Sequence, residues 1–159
     1  MNRDDFFLND PENYKDPWFK YAFDKAKEGN RWAQYEIGGF YEHISEHKKS
    51  FHWAEKSAVQ GLMEGQFILG RIYLFGNDFI PIDRNKAFKY LSLAAEQRGH
   101  SVASYLAGKL AYFYFGQYKT GIKWLNQSIR LGCVEARSVL NDIKRNEGSM
   151  KYFIKKYIG

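Results

Sequence analysis

The chain has 159 residues, 45% hydrophobic and 18% aromatic, with one cysteine and a net charge of +6. That apolar content suffices for one core-bearing domain and excludes a disulfide-stapled scaffold, because Cys133 has no second thiol to meet. It also excludes a helical membrane span, since no window approaches the ~18 uninterrupted apolar residues that a span needs.

In chain order, the opening MNRDDFFLNDPENYKDPW is acidic where a secretory leader would begin basic and turn apolar, so a cytoplasmic protein is expected. The first helix is predicted after Asp16–Pro17, a capping aspartate with proline at the first helical position, and is predicted to end near Gly29. Helix pairs are expected over about 31–60, 63–98 and 101–131, with a single helix at 133–146. The loop GNDFIPIDR is the longest connection, and its Phe79 and Ile80 are expected to tuck inward. SMKYFIKKYI, within 149–158, reads as a short helix whose Phe153, Ile154, Tyr157 and Ile158 cap the array. Its lysine-bearing amphipathic face would also suit a membrane surface, but the piece is short, and no membrane partner is expected.

The glycines carry the organisation. GNRWAQYEIGGFY, GLMEGQFILGRIY, GHSVASYLAGKLA and GCVEARSVLNDIK superpose, starting at Gly29, Gly61, Gly99 and Gly132. Each leading glycine is predicted to end a helix in the left-handed conformation that only glycine enters without a side-chain clash. Gly38, Gly70 and Gly108 then fall inside the following helix, with Asn141 breaking the series. A mid-helix glycine costs roughly 1 kcal/mol against alanine. A close helix crossing would offset that cost. Upstream, Tyr21, Trp53, Tyr90 and Trp124 recur, followed mostly by alanines. Tyr35, Phe67 and Tyr105 share one register position and are expected in the core.

This pattern resembles the Sel-one-like repeat family, a relative of the tetratricopeptide repeats, through Gly65, Leu69, Gly70, Tyr73, Gly76, Asp83, Ala87, Tyr90, Ala94 and Ala95. The resemblance is specific over 61–99, good over 29–60 and looser over 99–146. It implies an all-α, right-handed α-solenoid of about seven helices plus a short C-terminal capping helix, and a single domain is expected over 1–159, with an N-terminal extension at 1–16, repeats over about 17–146 and the cap at 149–158. It also implies a non-enzymatic protein-interaction role as adaptor, regulator or toxin-neutralising immunity protein. Many secreted members carry disulfides, so the lone cysteine again points to the cytoplasm.

Chemistry is sparse. His43, His47 and His52 cluster beside Glu42 and Glu46, and a four-residue spacing could place two histidines on one face to hold a metal. The repeat register puts a turn between His43 and His47, however, and no metal or other cofactor is expected. A metal-dependent enzyme there is the third reading. Cys133 is expected as a buried small residue.

Surface remains. Residues 1–80 hold 10 Lys+Arg against 13 Asp+Glu, and residues 81–159 hold 14 against 5. An acidic protein partner at the later repeats follows from that split. By tetratricopeptide analogy the first helix of each pair lines a concave face, making Trp32, Glu64, Arg71, Leu74, Lys109 and Tyr112 the expected partner contacts. Arg71 and Lys109 share one register position. RNA is the rival partner, suggested by the calculated pI of ≈ 9.3, although the basic residues do not alternate with aromatics as a stacking code would.

Overall fold

The computed structural model describes residues 17–97 and 99–145, and every regular element among them is helical. Eight helices follow one another: α1 Pro17–Lys27, α2 Arg31–His43, α3 His47–Val59, α4 Met63–Phe75, α5 Arg84–Glu96, α6 Ser101–Lys109, α7 Tyr118–Arg130 and α8 Val134–Arg145. They are the first helix, the three pairs and the single helix mapped from the sequence, against an expected overall count of about seven. The expected cap at Asp16, the extension 1–16 and the terminal helix 149–158 lie outside the described residues. Packing divides the chain into two compact units on either side of the Ile82–Asp83 junction.

Helix ends follow local chemistry. Gly29, Gly61 and Gly132 have φ of +94°, +78° and +90°, the left-handed values predicted for helix-terminating glycines. Asn30 starts α2 by accepting, through Oδ1, the amides of Trp32 and Ala33 at 3.0 Å each. Asp83 caps α5 by accepting the Lys86 amide at 3.0 Å, which holds its carboxyl below the usual range.

In unit one, α1 to α4 pack in sequence, with a core of Phe19, Phe23, Ala26, Ile37, Tyr41 and Trp53 between α1, α2 and α3. Phe23 meets Trp53 edge-on at 5.6 Å. Gly38 sits where an added Cβ would lie 3.1 Å from the Ala54 amide nitrogen and 3.5 Å from the Ser50 carbonyl oxygen. A Cβ on Gly65 would collide with the Ser57 side chain and come within 2.9 Å of the Ala58 nitrogen. Buried Ser57 donates to the Arg31 carbonyl at 2.9 Å, and Gln60 donates to Gln34 at 2.7 Å and to the Gly29 carbonyl at 3.0 Å. The glycine-bearing face therefore brings backbones together, as expected. Tyr21 departs from the series of upstream aromatics: it is 65% exposed whereas Trp53 is 1% exposed. Phe79 is less tucked than expected, 40% exposed with its ring against Phe51 at 6.3 Å.

Unit two repeats the sequential packing on α5 to α8, with a core of Phe113, Leu125, Ala136, Val139 and Ile143 between the turn Leu110–Tyr114, α7 and α8. Gly108 lies where a Cβ would come 3.1 Å from both the Gly121 carbonyl oxygen and the Leu125 amide nitrogen. Those partners correspond, repeat to repeat, to Ser50 and Ala54 opposite Gly38. Ser128 donates to the Ser101 carbonyl at 2.7 Å, repeating the bond from Ser57. Gln127 donates to the Ala95 carbonyl at 2.6 Å.

One feature of unit two had no sequence signal. After Lys109 the helix continues as a π-helix, Leu110–Tyr114, closed by the Phe115 amide donating to the Leu110 carbonyl at 3.0 Å.

Candidate functional site

The sequence-selected surface residues fall on α2, α4 and α6 with its π-turn. In unit one, Trp32 is 50% exposed in the first turn of α2, its ring edge-on to Tyr35 at 6.3 Å. Glu64 opens α4, half-buried. Burial, then the Glu36 and Glu64 carboxylates, hold the Tyr35 phenol above its ordinary value. Arg71 is exposed, and its guanidinium lies 5.7 Å from the Phe67 ring centre. Leu74, one turn on, is half-buried.

In unit two, Lys109 is half-buried with its ammonium 5.3 Å from the Tyr105 ring centre, and burial pushes its pKa below the ordinary lysine value. Tyr112 is half-buried. Its ring meets Phe113 at 4.9 Å and Tyr118 at 5.0 Å, and its backbone and Cβ cover Gly121.

The three register aromatics sit less deep than expected. Tyr35 and Phe67 are half-buried rather than fully buried core rings, and Tyr105 is half-buried while packing against the Phe113–Leu125 core. The cations over Phe67 and Tyr105 stand one helical turn further along, so a side-chain stem or guanidinium plane covers the ring that the core was expected to take.

The histidines divide between two helices, with the expected turn between His43 and His47. His43 ends α2, exposed; His47 opens α3, with Nε2 at 3.8 Å from Asp78 Oδ1; His52 stands half-buried against Trp53 at 5.2 Å. Among the described residues, no three His, Cys, Asp or Glu side chains converge as a metal group would. Cys133 is half-buried, not fully buried, and its thiol donates to Glu135 at 3.2 Å.

Sequence reasoning missed Gly121. Its signal was present: Ser50, Ala87 and Gly121 each stand three residues before Trp53, Tyr90 and Trp124, and all three are buried. Also missed was a cleft of ≈ 680 Å³ lined by Glu96, Lys123, Trp124, Gln127, Arg130 and Leu131.

The chain matches the Sel1 repeat family model over residues 33–62, 64–98 and 101–133. A sel1-like repeat-containing protein of Acanthamoeba polyphaga mimivirus is 33% identical over 93 residues, which are 58% of this chain and 16% of that protein. Among solved structures, a Sel1 repeat protein from Oxalobacter formigenes aligns with TM-score 0.66 at 23% identity, covering 77% of this chain and 96% of the other. A protective antigen present in uropathogenic Escherichia coli strains, displaying the same repeat fold, aligns with TM-score 0.69 at 22% identity, over 97% of this chain and 37% of the antigen. The chain thus spans a minor part of the mimivirus protein and of the antigen. No helix among the described residues is long and apolar enough to cross a membrane.

Proposed function

Because the chain belongs to the Sel1 repeat family, typically non-catalytic scaffolds that generally mediate protein–protein interaction, we propose that it binds an acidic protein partner without catalysing a reaction. In this reading the first helices of the pairs and the basic later repeats supply the contacts, and the role is that of an adaptor, regulator or toxin-neutralising immunity protein of the cytoplasm. The observation that carries it is the recurrence of a cation on an aromatic ring, Arg71 on Phe67 and Lys109 on Tyr105, at one register position of two repeats. A ring-supported cation offers contact area together with charge-assisted hydrogen bonds to a carboxylate, and such groups anchor protein interfaces. Trp32, Glu64 and Leu74 extend the first-helix surface, while Tyr112 contributes chiefly by fixing the neighbouring turn.

The test is affinity capture from the native host with wild-type protein and with Arg71→Glu/Lys109→Glu, followed by mass spectrometry. A protein recovered reproducibly by the wild type and lost by the variant supports the proposal. Recovery of RNA alone, or equal recovery by both baits, overturns it.

A further inference from the structure

The charge of unit two is not concentrated at Lys109. On α7, Lys119, Lys123 and Arg130 are all exposed, and the helix carries no carboxylate. Spacings of four and seven residues place these cations along one face of the helix, with Gln127 between the last two. Lys123 and Arg130 line the ≈ 680 Å³ cleft, whose wall is completed by Gln127, Leu131 and, from the end of α5, Glu96.

Several features make the cleft a built surface. The Lys123 ammonium lies 4.9 Å from the ring centre of Trp124, a side chain only 5% exposed and therefore fixed in place. Gln127 spans the cleft floor, donating to the Ala95 carbonyl at 2.6 Å and to Ser104 at 3.2 Å. Leu131 contributes an apolar rim, 38% exposed. Desolvation opposes the charge of Lys109 on α6, whereas the side chains of Lys123 and Arg130 are exposed.

From this geometry we infer that the α5–α7 cleft of unit two, on the second-helix side of its repeats, is a docking groove for an acidic segment of the protein partner, with Lys123 and Arg130 reading two carboxylates. The inference rests on the proposed acidic partner, but it places contact away from the first-helix residues. Charge complementarity selects the occupant. Phosphate-backbone binding gains affinity with the number of phosphates neutralised by Lys and Arg, and base stacking needs an open aromatic face. Here two cations line the cleft beside Glu96, and Trp124 is buried. Carboxylates spaced along a peptide, with an apolar residue against Leu131, match what the cleft offers.

A fluorescein-labelled hexaglutamate peptide and a labelled oligothymidylate, titrated against the full chain at low salt by anisotropy, test this. Peptide affinity should fall about tenfold or more in Lys123→Glu/Arg130→Glu and stay within about twofold in Arg71→Glu/Lys109→Glu. All four positions are charged and none is fully buried, so helical circular dichroism and melting of both variants are recorded as folding controls; Lys123→Gln/Arg130→Gln repeats the test without added negative charge. Loss only in Arg71→Glu/Lys109→Glu overturns the groove and leaves the proposed function standing. No peptide binding by wild type, or tighter binding of oligothymidylate with the same Lys123 and Arg130 dependence, overturns the groove; the second result also promotes nucleic acid as the ligand.

Discussion

At the scale of residues, the glycines separate into packing sites and open sites. A methyl on Gly121 would stand 2.6 Å from Tyr112 Cβ and 2.8 Å from its nitrogen, so backbone would have to move. Gly39, inside α2 at ordinary helical φ, has nothing within 4 Å of its added Cβ. Gly121→Ala is therefore expected to lose ~1–3 kcal/mol through overpacking, while Gly39→Ala gains up to about 1 kcal/mol of helix propensity. Urea denaturation of both checks this, and equal effects would remove the close-approach argument. Lys109 makes a second prediction. Its folded pKa is depressed from 10.5 by burial, so in alkaline solution the unfolded chain binds more protons at this site than the folded chain. Its unfavourable contribution is full below the folded pKa and is relieved as pH rises through that value toward 10.5. The stability difference between wild type and Lys109→Met should move in favour of wild type over that interval; a flat difference in chemical unfolding would refute the burial effect. The sequence placed Tyr35, Phe67 and Tyr105 too deep for a plain reason. Ring hydrophobicity says how much area needs covering, and part of that cover comes from Arg71 on Phe67 and Lys109 on Tyr105, one turn away, and from Trp32 beside Tyr35.

At the scale of elements, the helices were legible because their ends are chemically marked. Gly29, Gly61 and Gly132 need left-handed backbone, and Asn30 and Asp83 accept orphan amides. The π-helix was not legible, because its cause lies in the length between two contact points and not in any residue type. Ser50 follows Gly38 by 12 residues, while Gly121 follows Gly108 by 13, yet the two glycines meet equivalent backbone atoms. The Leu110–Tyr114 turn takes up the additional residue. Deleting Tyr114, which is 49% exposed, should restore an α-helical turn and leave a cooperatively melting protein, whereas deleting Phe40 from α2 should disrupt packing. Thermal melts followed by circular dichroism distinguish the two; loss of cooperativity on deleting Tyr114 would show that the wider turn is required and not merely accommodated.

At the scale of the molecule, the uneven charge predicts how partners meet it. Residues 1–80 carry three more acidic than basic groups, and residues 81–159 carry nine more basic than acidic. Once a partner is in hand, association should slow as salt is raised from low concentration past ~0.15 M, where the Debye length is about 8 Å, with dissociation changing less. Stopped-flow measurements across a salt series check this, and an association rate indifferent to salt would leave the charge asymmetry without a role in encounter. The cleft behind this charge escaped the sequence because Lys123, Arg130 and Glu96 become neighbours only when α5 and α7 are folded. The widened turn after Lys109 has a consequence for descent as well. A one-codon insertion can be absorbed within a helical coil without shifting the phase of the downstream helix, so copies of the unit can drift in length while remaining stackable. Homologous copies aligned only by residue count would then appear out of step where their folded contacts coincide.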